Sequence, residues 1–128
     1  MRLLLDTHAF LWWLEDSPRL GPRARALIAD PGTHVAVSAA SAWEIAVKVR
    51  KGSLVLERAD LRDLADEIRA QDFDELPITV SHAERAGRLP GHHADPFDRL
   101  LIAQAQSEGL TLVSNEALFD HYGVSRSW

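Results

Sequence analysis

The segment "RLLLD" at positions 2–6 constrains the fold most strongly. Leu3, Leu4 and Leu5 are apolar on consecutive positions, whereas a strand with one face in water alternates apolar with polar. A continuously apolar strand has both faces covered, as inside a parallel α/β sheet. The next stretch, "HAFLWWLED", reads as a helix and is broken by Pro18, Gly21 and Pro22. A second short helix is expected over "PRARALIAD", opened by Pro22 and stopped by Pro31-Gly32. "THVAVS" reads as a strand and "AASAWEIAVKVRKG" as a helix stopped by Gly52. "ADLRDLADEIRAQD" places Leu61, Leu64, Ala65 and Ile68 on one helical face. A short strand in "FDELPIT", limited by Pro77, precedes a short helix "SHAERAGRL" capped by Ser81. The chain continues with a helix over "DPFDRLLIAQAQSEG", a strand "LTLVS" and a short helix "EALFDHYG".

Strands thus alternate with helices throughout, the pattern of an α/β domain with a parallel sheet and helices on both faces. Right-handed crossovers bring every strand's C-terminal end, and the start of every returning helix, to one edge. Ligand sites of open α/β sheets lie there. No repeat, low-complexity tract or linker divides the 128 residues, so a single domain over 1–128 is expected.

Four acids fall at that edge. Asp6 ends the first strand, Glu44 lies early in the helix after "VAVS", Asp98 lies in the first turn of "DPFDRLL", and Glu116 follows "LTLVS". Asp98 shares a helical face with Leu101, Ile102 and Ala105, so its carboxylate points along the buried side. Each acid also has a plain structural explanation. Asp6 or Thr7 could cap the first helix, and Asp95-Pro96 is an ordinary helix start. Ser41-Ala42-Trp43-Glu44 imitates a capping box, and Glu44 with Lys48 forms an i, i+4 pair. Asp98 and Glu116 could be first-turn acids favoured by the helix dipole. Taken together the balance reverses, because carboxylates meeting at one edge repel one another unless a cation binds them. Oxygen ligands in a chain without cysteine favour magnesium or manganese.

Composition removes several classes. No cysteine means no disulfide, thiolate nucleophile or cysteine metal site, which fits the cytoplasm. A net charge of −5 argues against broad nucleic-acid binding. Phosphate contact would rest on Lys48, Arg50 and Lys51, whose other reading is a solvated helix end favoured by the dipole. No apolar stretch approaches the ~20 residues of a membrane span. Arg2 and the leucines imitate a leader, but Asp6 and His8 interrupt the run, so no signal peptide is expected.

"LLLDTHAFLWWL", "SAWEIAVKVRKG", "DPFDRLLIAQA" and "LVSNEALFDHYGV" together resemble the VapC-type toxins of the PIN-domain family, in order and spacing over nearly the entire chain. The resemblance implies a three-layer α/β/α domain with a parallel five-stranded sheet of order 3-2-1-4-5. It implies a magnesium- or manganese-dependent ribonuclease neutralised by a VapB-type antitoxin. Its acidic cluster falls on Asp6, Glu44, Asp98 and the position of Glu116, which is usually aspartate in the family. Asp6 and Asp98 are then the direct metal ligands, while Glu44 binds metal or orients the attacking water. Thr7 and Ser114 stand beside ligand positions, where capping is the competing role. Asp95 caps its helix, with support of the site as the lesser reading.

Other readings compete. The loop Gly91-His92-His93 could donate to an RNA phosphate, but it lacks the helical spacing of a zinc pair. His8 adjoins Asp6 and reads first as an ordinary helix residue. A phosphoaspartate phosphatase would need an acid two residues after Asp6, where His8 stands, and no G-x-x-x-x-G-K or G-x-S-x-G motif is present. The non-enzymatic rival is a protein-binding module acting through the first helix. Trp12 and Trp13 cannot both face one core. One needs a further helix, a second subunit of a homodimer or a partner segment such as the antitoxin.

Overall fold

The computed structural model describes residues 1–56, 63–91, 93 and 95–128. Five strands form one parallel sheet: β1 (Arg2–Leu5), β2 (His34–Ser38), β3 (Asp74–Leu76), β4 (Thr111–Val113) and β5 (Arg126–Ser127). Their order is β3-β2-β1-β4-β5. Six α-helices connect them: α1 (Thr7–Leu14), α2 (Pro22–Ala29), α3 (Ala39–Lys51), α4 (Leu64–Ala70), α5 (Val80–Arg88) and α6 (Pro96–Glu108). A 3-10 turn, Ala117–Tyr122, leads into β5.

The central strand accounts for the apolar run. β1 pairs with β2 on one side and β4 on the other, and Leu3, Leu4 and Leu5 are fully buried. Leu3 and Leu5 join Phe10, Ile28, Val35, Val37, Ile45 and Val113 in one core. Leu4 points the other way, into a second core with Leu101, Ile102, Leu112 and Phe119. Burial of each such side chain contributes about 1.5–3 kcal/mol, so both sheet faces must be covered for β1 to fold. One buried polar network ties the second layer together. Gln104 accepts from Ser38 Oγ (2.5 Å) and donates to the Pro77 carbonyl (3.1 Å), with no exposed surface of its own.

Local signals set most helix ends. Gly52 and Gly109 close α3 and α6 in the left-handed conformation, which a Cβ would strain. Several expectations need correction. α3 begins at Ala39, with the Ser38 hydroxyl accepting from Ala40 N–H (2.9 Å), so Ser41 and Glu44 lie inside the helix rather than in a capping box. α5 is capped by Thr79, not Ser81. Its Oγ1 accepts from His82 N–H while His82 Nδ1 accepts from Thr79 N–H, a reciprocal pair with histidine in place of glutamate. The expected helix from Ala59 is seen from Leu64 on, since residues 57–62 lie outside the described residues. The final helix is a 3-10 turn, and β5 carries no apolar pattern at all.

Candidate active site

The C-terminal ends of β1, β2 and β4 face the first turns of α1, α3 and α6, and the sequence-derived acids gather around this edge. Asp6 caps α1, its Oδ1 accepting from Ala9 N–H (2.8 Å), and it is 6% exposed. Capping therefore accounts for one carboxylate oxygen. Burial raises the Asp6 pKa above its ordinary value. The Ser114 hydroxyl, the Ala9 N–H and His8 oppose the rise, while the charge of Glu116 adds to it.

Asp98 stands across the site in the first turn of α6. Asp95 holds that turn as its N-cap, accepting from Phe97 N–H (2.9 Å) and Asp98 N–H (3.2 Å), as the aspartate-proline signal predicts. The Asp98 Oδ2 accepts from His93 Nε2 (2.7 Å). Burial lifts the Asp98 carboxyl to about 6, with Asp95 and Glu116 pushing it up and His93 pulling it down. Glu116 is exposed at the start of the 3-10 turn and makes no side-chain cap bond. Its charge nonetheless reaches both Asp6 and Asp98.

Glu44 is buried and fully engaged. Its Oε1 accepts from the Thr7 hydroxyl (2.5 Å), which also bonds Ser41 Oγ (3.0 Å). Its Oε2 accepts from Lys48 Nζ (2.6 Å), the i, i+4 pair expected from the spacing. Glu44 raises the Lys48 pKa, with Asp95 and Asp98 adding to it, so the ammonium sits within the field of all three acids. Arg50 and Lys51 stand exposed in the last turn of α3, beyond Lys48. Ser114 is buried at the end of β4, its Oγ accepting from Glu116 N–H (3.0 Å). Arg126 of β5 donates to the Ser114 carbonyl (3.0 Å) and to both Asp120 oxygens, which fixes the loop carrying Glu116.

Two residues of this constellation were not picked out as parts of the site. The loop pattern offers His93 as a donor to phosphate or, with less support, a zinc ligand, whereas the structure makes it the hydrogen-bond partner of Asp98. Ser41 was read as a cap, yet it supports Thr7. His92 lies outside the described residues. Trp12 and Trp13 both remain half-buried with covers from this same chain. Trp12 stacks on His8 and meets Trp128 edge-on. Trp13 packs near Phe73, and its indole N–H donates to Gln71 Oε1 (2.9 Å).

The donor chemistry fits a hard divalent cation. Asp6 and Asp98 offer oxygen ligands whose charge the protein leaves under-compensated, as their raised pKa values record. Among the described residues, no three acids or histidines stand pre-assembled around one point. A cation would therefore draw the carboxylates together rather than enter a finished cage.

Comparison with known proteins agrees with this geometry. The chain matches the PIN domain family over residues 3–124. It is 32% identical over 118 residues to "Ribonuclease VapC22" of Mycobacterium tuberculosis, covering 89% of this chain and 86% of that one. The VapBC2 complex of Rickettsia felis, bound to a promoter DNA fragment, superposes with a TM-score of 0.74 at 17% identity, over 100% of this chain and 99% of that one. FitAcB of Neisseria gonorrhoeae gives 0.63 at 20% identity, over 97% and 95%. At such identities the two structures establish the fold, whose strand order is the one the sequence resemblance implied. With the match spanning strands on both sides of β1 and all four acids of this sheet edge, the chain belongs to the PIN-domain family, among its VapC-type members.

Proposed function

We propose that this chain is a divalent-metal-dependent ribonuclease acting as the toxin of a toxin–antitoxin pair. The observation that supports it best is the pair Asp6 and Asp98. Two carboxylates from distant parts of the chain are desolvated at one sheet edge, each above its ordinary pKa, with the charge of Glu116 acting on both. A domain that only binds proteins gains nothing from such a costly arrangement. The relative named a ribonuclease supports the same reading.

Asp6 and Asp98 would hold magnesium or manganese, with Glu116 near enough to join directly or through water. When bound, the metal supplies a water of lowered pKa and offsets charge on the phosphate. The chain's own groups do the rest. Thr7 and Lys48 clamp Glu44 in one orientation, from which it would bind metal or direct the attacking water. Lys48 offers its ammonium to a phosphate oxygen of RNA, and Arg50 and Lys51 extend the positive end of α3 for neighbouring phosphates. His93 fixes the rotamer of Asp98, Asp95 holds the turn beneath it, and Ser114 pins the backbone of Glu116 while facing Asp6.

The structural neighbours solved as toxin–antitoxin complexes support a VapB-type antitoxin as partner. Its apolar segment would cover α1 near Trp12 or Trp13, which this chain leaves half-buried. No helix among the described residues is long and apolar enough to cross a membrane. We assign the protein to the cytoplasm as a homodimer, with cellular RNA as substrate. The test is RNA cleavage by purified, partner-free protein in magnesium, manganese or chelator, with Asp6→Asn and Asp98→Asn alongside and folding followed by circular dichroism. Each variant should fold and lose cleavage. Full cleavage by folded Asp6→Asn, or cleavage indifferent to chelator, overturns the reading.

A further inference from the structure

Trp43 is 55% exposed on α3, the one aromatic side chain among the large apolar groups that stand exposed in the described residues. Its indole meets Phe97 of α6 edge-on, with ring centroids 4.9 Å apart and planes at 76°. The other three tryptophans find further cover within the chain: Trp12 and Trp128 pack on each other and Trp13 packs near Phe73. The Trp43 indole N–H has no hydrogen-bond partner among the described residues. The pair forms an aromatic wall bridging two helices, and each ring immediately precedes an acid of the site, Trp43 before Glu44 and Phe97 before Asp98.

We propose that Trp43, braced by Phe97, is a stacking platform for one base of single-stranded RNA beside the scissile phosphate. The inference rests on the nuclease reading above and deepens it. A phosphate drawn by a bound cation to the edge of Asp6 and Asp98 would carry its own base within one nucleotide's reach, and Trp43 and Phe97 directly precede Glu44 and Asp98 in the chain. Charge points the same way. The protein carries a net charge of −5, and Lys48, the cation that would meet a phosphate at the acidic edge, shares its ammonium with Glu44. An acidic protein that must hold a polyanion needs a contribution that does not depend on charge. Stacking supplies it for any base, because every base has a π-face.

The test uses full-length, partner-free protein and a short single-stranded RNA. Binding is read by anisotropy and tryptophan fluorescence in chelator at low salt, and cleavage is read in magnesium. A second series carries one abasic nucleotide walked along the RNA. Trp43→Ala should weaken binding about tenfold or more, and Trp43→Phe by less. One abasic position should cost the wild type a similar factor and cost Trp43→Ala nothing further, since base and ring form one contact. Trp43 is exposed, so Trp43→Ala should melt close to wild type. Equal RNA binding by wild type and Trp43→Ala overturns the inference. So do abasic and Trp43→Ala losses that simply multiply. A Trp43→Ala protein that sediments as a monomer beside a dimeric wild type, with RNA affinity per subunit unchanged, overturns it by showing a second copy on this face. Wild type that cleaves RNA while Trp43→Ala cleaves and binds equally removes the platform alone. Wild type that neither binds nor cleaves RNA in magnesium or chelator removes the nuclease reading and the platform with it.

Discussion

Asp98→Asn should stabilise the metal-free protein. Burial holds the Asp98 carboxyl at about 6 against an ordinary 3.8. At ~1.4 kcal/mol per tenfold change in acidity, that difference is about 3 kcal/mol against the ionised form. The side chain keeps 19% of its surface in water, and screening there reduces the cost to about 1–2 kcal/mol. The sign follows from proton binding. The folded state keeps the Asp98 proton to higher pH than the unfolded chain does. The cost is therefore absent below about 3.8, grows between 3.8 and about 6, and is complete above 6. Asparagine never ionises, and its Oδ1 can still accept from His93 Nε2. In chelator at pH 7.5 the variant should be about 1–2 kcal/mol more stable in urea, or roughly 3–8 °C higher in Tm for a chain of this size. Near pH 4 the two proteins should converge. Manganese should raise the Tm of the wild type, because it binds only the folded state, and should leave Asp98→Asn nearly unmoved. A variant less stable than wild type in chelator at pH 7.5, or a difference that ignores pH, would refute the reasoning. Asp98 would then be a structural partner of His93 and not a carboxylate held ready for a cation.

Glu116→Gln should weaken manganese affinity by about tenfold or more in calorimetric titration, the loss typical even of groups that act through a bound water; equal affinities would remove Glu116 from the site. Gln104→Leu should cost about 2–3 kcal/mol in urea unfolding, because it leaves the buried Ser38 O–H without an acceptor and the Pro77 carbonyl without its Gln104 donor. A loss under about 0.5 kcal/mol would mean that neighbouring groups re-pair these atoms. Antitoxin binding should slow hydrogen exchange across residues 9–17 and shift the fluorescence of Trp12 or Trp13. Identical exchange with and without the partner would place the antitoxin elsewhere.

The division between what sequence and structure decide follows the range of the interactions. Periodicity is local, so the run Leu3-Leu4-Leu5 was enough to demand a doubly covered strand, and the alternation that follows was enough to demand a parallel sheet. Caps and stops are local too: Asp95 before Pro96, and Gly52 after the last turn of α3, act where the sequence says. The right-handed crossover then carries Asp6, Glu44, Asp98 and Glu116 to one edge without reference to any side-chain contact. Contacts between elements far apart in the chain have no such local signature. The bond of Thr7 to Glu44 and the cover of Trp12 by Trp128 exist because the sheet order juxtaposes their elements. β5 shows the same limit most clearly. Arg126 and Ser127 carry no strand pattern, and they form one because β4 presents an unpaired edge beside them and Asp120 and the Ser114 carbonyl hold the Arg126 guanidinium there. Which carboxylates are locked in hydrogen bonds and which are left with their charge unanswered was likewise decided by packing: Glu44 has Thr7 and Lys48, while the buried Asp6 and the half-buried Asp98 have too few donors to keep their ordinary acidity.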